Sequence, residues 1–248
     1  MAQERRLVVL DTADDVAYQA ATEFEVRARA AIEDHGRFNA ALSGGTTPRA
    51  FFALLASPQF AEDIDWPNIH IFWGDERCVP PTDEASNYAQ AEKLLLGPLQ
   101  VPRANVHRMR GELEPHSGAV SYADELRASF GDSISLDAIY LGLGEDGHTA
   151  SLFPRNPVLD IVDQPCAAVH VPENRAAPWR LTLTYPVLDA ADAAIFLVAG
   201  AAKAAVLARV LEGPRDAHAL PAQGVAPAQG SLIWLVDDAA ASGLKSRV

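Results

Sequence analysis

The chain has 248 residues, of which 49% are hydrophobic and 21% charged, a balance that suits a globular protein with a sizeable core and argues against long disorder. Its formal net charge of −13, with no basic run anywhere, disfavours nucleic acid and anionic membranes as partners, because affinity for polyphosphate comes from clustered Lys and Arg. An anionic small molecule would need the few useful cations gathered in one cleft.

The N-terminal MAQERRLVVLDTADD has a short apolar part followed by acidic residues, so neither a signal peptide nor a membrane anchor is expected and the cytoplasm is the default address. Cys78 and Cys166 have no disulfide or metal spacing and read as free thiols.

The run at 7–10 reads as a strand and 15–33 as a helix. A strand at 38–42 then ends in Ser43-Gly44-Gly45-Thr46-Thr47-Pro48 and opens a helix at 48–55. Two glycines let backbone N–H groups approach an oxyanion, Thr47 is placed to cap, and Pro48 suits the first turn, so the positive helix end faces a ligand. Hydroxyls on Ser43, Thr46 and Thr47 add donors. The bland alternative is a strand-to-helix turn that uses Gly and Thr for geometry alone. It is not a Walker loop, since no Gly-Lys-Ser/Thr follows.

The next strand, 69–73, runs into Gly74-Asp75-Glu76-Arg77. An arginine here suits forked recognition of phosphate or carboxylate, with Asp75 or Glu76 orienting another group; the alternative is a solvated Glu/Arg pair. Helices at 88–96 and 116–130 follow, then a strand at 138–143 that enters Gly142-Leu143-Gly144-Glu145-Asp146-Gly147-His148-Thr149. This loop matches the dinucleotide pattern G-x-G-x-x-G. Glu145 and Asp146 inside it, and Pro154 soon after, argue against a bound pyrophosphate, so the glycines read better as clearance for a small ligand. His148 is the natural proton acceptor, because an unperturbed imidazole titrates near pH ~6.5, and Asp146 either orients it or polarises the substrate.

Strands at 167–171, 181–184 and 194–198 come next. Lys203 then falls in the first turn of a helix at 201–211, where a cation gains nothing from the helix dipole. A second anion ligand explains that placement, against the alternative of a simple exposed lysine. The Pro-, Ala- and Gly-rich 213–230 leads into a strand at 232–236 and reads as an ordered loop. This alternation predicts an α/β fold around a mostly parallel sheet flanked by helices, one domain over 1–248 with room for a small additional subdomain. Ligands of such sheets bind beyond the carboxyl ends of the strands, where these loops lie.

The motifs SGGTTP (43–48), GDERCVP (74–80), SNY (86–88), GLGEDGHTASLFP (142–154), RLTLTYPVL (180–188), GAAK (200–203), PAQGV and LIWLVD, taken in this order, resemble the 6-phosphogluconolactonase family of the pentose phosphate pathway over almost the whole chain. The resemblance implies a Rossmann-like fold shared with glucosamine-6-phosphate deaminases and ribose-5-phosphate isomerases. It also implies hydrolysis of 6-phosphoglucono-δ-lactone without cofactor or metal. Carried over by motif, His148 becomes the general base, and the phosphate falls on Gly44, Gly45 and Thr46 with Arg77 and Lys203; from the reading of the loop itself, Asp146 is preferred over Asp75 as the partner of His148. Ser43 and Asp75 join that substrate-binding set.

Two departures stand out. Arg155 sits where the pattern has Gly, and the stretch 173–178 replaces a Lys- and Pro-rich segment, which makes Arg175 the stand-in anion contact. The rival readings are a glucosamine-6-phosphate deaminase, whose loop continues Asn-Glu-Pro where this chain has Ser151-Leu152-Phe153-Pro154, a dehydrogenase resting on the glycine pattern alone, and a non-catalytic sugar-phosphate sensor. The expected partner is a small sugar-phosphate lactone. Oligomeric state is not legible in the sequence, and a monomer is the default expectation.

Overall fold

The computed structural model describes residues 4–172, 174 and 176–246. Strand β1 (Glu4–Leu10) leads to helix α1 (Ala13–His35), which is started by a capping box between Thr12 and Asp15. Gly36 at φ +86° ends it in the left-handed region, where the absence of a Cβ removes the usual clash. Val16, Ala20, Phe24, Ala28 and Ala31 are buried at helical spacing, which gives α1 one apolar stripe to lay on the sheet.

Strand β2 (Phe38–Leu42), helices α2 (Thr46–Leu55) and α3 (Pro58–Ala61), and strands β3 (Ile69–Trp73) and β4 (Asp75–Arg77) follow. Helix α4 (Asn87–Ala91) continues through a π-helical turn at Glu92–Leu96 into α5 (Gly97–Leu99), and α6 (Pro115–Phe130) precedes β5 (Ala138–Leu141). Then come β6 (Cys166–His170), β7 (Trp179–Leu183), α7 (Tyr185–Asp189), β8 (Ala193–Val198), α8 (Ala204–Glu212), β9 (Ser231–Asp237) and α9 (Asp238–Ala241).

Six strands form one parallel sheet in the order β1-β9-β8-β5-β2-β3. Strands β2 and β8 are buried at every position, the pattern of a parallel sheet covered on both faces. The runs expected at 167–171 and 181–184 do not join it. As β6 and β7 they pair antiparallel with each other, and β7 also pairs with the short β4, forming a second three-stranded sheet. The segment 213–230 is ordered around a 3₁₀ turn at Pro221–Gly224, with Leu220, Ala222 and Val225 buried. Among the described residues no helix is long and apolar enough to cross a membrane.

The strand order places the site. From β2 the chain moves outward to β3 and then returns to the other side of β2 as β5, so the topology reverses between β2 and β5. At such a point the two following loops diverge and leave a crevice above the carboxyl ends. Here those loops are 43–45 and 142–149.

Candidate active site

A cavity of about 900 Å³ opens at this crevice, the size range of small-ligand sites. Ser43, Gly44, Gly45, Thr46, Asp75, Arg77, Asp146, His148 and Lys203 all line it, although they come from four separate segments. Arg175 lies outside the described residues.

Helix α2 begins at Thr46 with Gly45 as its N-cap, so Thr47 is helical and does not cap. Gly45 has φ +114°, which a side chain would strain, and no side-chain hydrogen bond closes this helix start. The first-turn N–H groups are therefore left to an external acceptor, with the positive end of the dipole behind them. Gly44 is needed for another reason: a Cβ there would overlap the Asn87 side-chain amide. The Ser43 hydroxyl donates to the Tyr140 carbonyl at 2.8 Å, so it ties β2 to β5 while lining the cavity.

The loop after β5 is folded around its histidine. The Gly144 N–H donates to the His148 carbonyl (2.8 Å) and the Gly147 N–H to the Gly144 carbonyl (3.0 Å). The first of these bonds spends an N–H that a dinucleotide loop would present to pyrophosphate, and no helix starts here. Asp146 Oδ1 accepts from the His148 N–H at 3.0 Å and faces His148 Nδ1 at 2.6 Å. With Nδ1 donating to that carboxylate, Nε2 keeps its lone pair. Burial pushes the Asp146 carboxyl up, but the hydrogen bonds from His148 and its charge outweigh this and hold the carboxyl below its usual range. Phe153 lies against the imidazole with ring centres 4.4 Å apart, and a Cβ on Gly144 would collide with both His148 Nδ1 and Asp146 Oδ1. Arg155, where the motif pattern has Gly, adopts φ +57°, the backbone region in which glycine is favoured.

In β4 the two-residue period of a strand separates the acids. Asp75 and Arg77 line the cavity, whereas Glu76 is absent from its lining and points to the opposite face. Glu76 is 2% exposed and accepts from the backbone N–H groups of Arg77, Asn87 and Tyr88 and from the Ser86 hydroxyl, at 2.7 to 2.9 Å. Burial raises its pKa and these four donors oppose the rise. The Ser86-Asn87-Tyr88 motif is thus a clamp on Glu76 that folds the 76–88 segment. Asp75 is held too: Asn87 Nδ2 donates to its Oδ1 (3.0 Å) and the Ser151 hydroxyl to its Oδ2 (2.7 Å). It does not pair with His148.

Lys203 precedes α8 in a 3₁₀ turn that starts at Gly200, whose φ is +95°. The buried Asp237 fixes this turn by accepting from the Gly200 N–H through both oxygens (3.0 and 2.9 Å) and also caps α9. No described residue holds the Lys203 ammonium by a hydrogen bond or ion pair, so its charge is available to the cavity. Among the described residues there is no cluster of three or more His, Cys, Asp or Glu that could hold a metal ion.

Asn87 and Arg180 also line the cavity and were not expected as site residues from the sequence. Both lie inside motifs recognised there, SNY and RLTLTYPVL, but neither has a local pattern that distinguishes a ligand from a packing residue. Arg180 becomes visible as a site residue only when β7 pairs with β4.

The sequence matches the family described as glucosamine-6-phosphate isomerases/6-phosphogluconolactonase over residues 11–234. A 6-phosphogluconolactonase from Haemophilus influenzae is 40% identical over 199 residues, covering 80% of this chain and 84% of the relative. One from a Nostoc species is 39% identical over 219 residues, covering 86% of this chain and 88% of the relative. A solved structure described as devB protein superposes with a TM-score of 0.87 at 35% identity, covering 96% of this chain and 98% of its own. With the family match extending over most of its length, the chain belongs to the glucosamine-6-phosphate isomerase/6-phosphogluconolactonase family.

Proposed function

We propose that this protein hydrolyses 6-phospho-D-glucono-1,5-lactone to 6-phospho-D-gluconate, the lactonase step of the oxidative pentose phosphate pathway, with His148 as general base. The observation that carries the reading is the His148–Asp146 pair opening onto the same cavity as the uncapped start of α2 and Lys203, whose ammonium no described residue pairs. One part of that cavity holds an anion and another moves a proton, which is what a phosphorylated ester requires.

In this reading the substrate phosphate meets the N–H groups of Gly44, Gly45 and Thr46, with Lys203 supplying a charge. His148 Nε2 takes a proton from the water whose oxygen attacks C1. The tetrahedral oxyanion then collapses, the bond from C1 to the ring oxygen breaks, and His148 returns the proton to that oxygen. The new carboxylic acid ionises and releases one proton per turnover. Asp146 keeps the imidazole in the tautomer with Nε2 free and stabilises the imidazolium between the two transfers. The reading takes residues 1–248 as one catalytic domain, acting as a monomer in the cytoplasm.

The test follows proton release from freshly made lactone, with the spontaneous rate subtracted, for wild type and His148→Ala. The variant is expected to keep KM and lose kcat by about 10²- to 10⁴-fold. Near-normal turnover in the variant would remove His148 as the base, and no acceleration by wild type would remove the reaction.

A further inference from the structure

The peptide that joins Gly147 to His148 is held at both ends. Its N–H donates to Asp146 Oδ1 (3.0 Å) inside the loop, and its carbonyl accepts the Ala222 N–H (3.0 Å) from the 3₁₀ turn at Pro221–Gly224. On the other side of the histidine, the His148 carbonyl accepts the Gly144 N–H (2.8 Å). A peptide unit is planar, so fixing its N–H and its C=O fixes the direction in which the imidazole leaves the loop. Gly147 permits the contact: it has φ +91°, and a Cβ on it would overlap the buried Leu220 side chain. Gly144, Asp146 and His148 line the cavity, whereas Gly147 and residues 220–224 are absent from its lining, so the turn meets the loop on the side away from the substrate.

The turn is itself pinned. Gln223 Oε1 accepts the Asp216 N–H (2.7 Å), and Nε2 donates to the carbonyls of Arg209 and Val210 at the end of α8 (both 3.1 Å) and of Pro214 (3.3 Å). The Tyr185 hydroxyl donates to the Pro221 carbonyl (2.8 Å), and the Tyr185 ring packs on Gly224, where a Cβ would overlap it. A second tie joins the two segments, from the Arg155 N–H to the His218 carbonyl (2.8 Å). A four-residue 3₁₀ turn has poor internal hydrogen bonds, so these side chains decide where it sits.

We propose that the Pro221–Gly224 turn, pinned by Gln223 and Tyr185, is a positioning element for the general base, holding the Gly147–His148 peptide so that Nε2 faces the attacking water. This rests on the lactonase reading above and gives a task to the PAQGV motif and to Tyr185, which do not line the cavity. A base must lie within about 2.6–3.2 Å of its proton, and a misplacement of about 1 Å costs up to roughly 10²-fold. The anion grip is spared, because Gln223 bonds the end of α8, whereas Lys203 precedes its start in the turn that Asp237 fixes.

The experiment measures kcat and KM for freshly made lactone by proton release, and affinity for 6-phosphogluconate by calorimetry, on wild type, His148→Ala, Gln223→Met and Tyr185→Phe. Rates are taken well below each variant's melting temperature, so that lost stability does not enter. Met fills much of the Gln223 volume without its hydrogen bonds. Gln223→Met should lose kcat by roughly 10-fold or more, with KM and product affinity within about twofold of wild type. Tyr185→Phe removes one bond and keeps the ring on Gly224, so its loss should be smaller and again confined to kcat. A merely structural turn would lower the melting temperature and leave kcat of the folded enzyme unchanged, which would overturn the proposal. So would a loss of product affinity as large as the loss of kcat, since the turn would then support binding through α8. If Gln223→Met does not fold, Tyr185→Phe decides: a kcat loss beyond about twofold at unchanged product affinity supports the proposal, and wild-type kcat overturns it. If wild type does not accelerate hydrolysis, or His148→Ala keeps wild-type kcat, the lactonase reading or its base fails and the positioning role goes with it. Loss of kcat in His148→Ala but not in Gln223→Met or Tyr185→Phe retains that reading and removes only the turn.

Discussion

Replacing Asp146 by Asn tests how the histidine is prepared for its task. One oxygen, Oδ1, serves both the His148 backbone N–H (3.0 Å) and Nδ1 (2.6 Å). An amide oxygen accepts both bonds, and the backbone N–H keeps it turned that way, so the substitution removes charge while retaining geometry. A hydrogen bond to a charged group contributes about 1.5–3 kcal/mol and a neutral one about 0.5–1.5 kcal/mol, so the loss is roughly 1 to 1.5 kcal/mol. It appears in kcat, because the carboxylate matters most when the imidazole becomes imidazolium. That range corresponds to roughly 5- to 12-fold. The Asp146 side chain is 49% exposed, so solvent screening places the expected effect near the lower end, about 5-fold. The assay is initial-rate proton release in weak buffer, corrected for spontaneous hydrolysis, for Asp146→Asn and Asp146→Ala. The depressed pKa of Asp146 keeps it ionised across neutral pH, so its own titration does not enter. Wild-type kcat in both variants would refute the orienting role. A loss in Asp146→Asn as deep as in His148→Ala would instead make Asp146 a direct participant.

Gly144→Ala should lower kcat at least as much as Asp146→Asn with little change in KM, because its Cβ displaces the His148–Asp146 pair and leaves the anion loop alone; intact kcat would contradict the packing described. Glu76→Gln should destabilise the fold by roughly 2–5 kcal/mol, since each carboxylate oxygen accepts two donors and an amide NH₂ must face one such pair; an unchanged urea midpoint would remove the clamp. His70 is held neutral, chiefly by burial and then by the charges of His107 and Arg37, with its pKa lowered to about 4. The unfolded chain therefore binds an extra proton between about pH 6.5 and pH 4, so the stability from this group is complete above that window and is lost as pH falls through it. In His70→Gln the urea midpoint should fall less steeply between pH 7 and pH 5 than in wild type, and parallel slopes would assign the acid sensitivity elsewhere.

Local backbone chemistry was legible along the chain. The glycines of SGGTTP and of the histidine loop, the apolar stripe of α1 and the fully buried runs of β2 and β8 each depend on residues a few positions apart, and these placed a glycine-rich helix start and a histidine beside one crevice. The sequence also put His148 and Asp146 in one loop, although the bond between them needed the turn closed by Gly144 and Gly147.

Tertiary structure decided the rest, because those properties depend on partners distant in sequence. Thr47 is helical because the cap moved to Gly45, and the Ser43 hydroxyl is spent on β5. The strand period, applied to a three-residue strand too short to recognise from composition, sends Asp75 and Arg77 into the cavity and Glu76 away from it. Strands β6 and β7 read as strands in sequence, but only their antiparallel pairing separated them from the main sheet. That same pairing sets Arg180 against Arg77 at the cavity, since register across strands is fixed by packing between segments and leaves no mark in either segment alone.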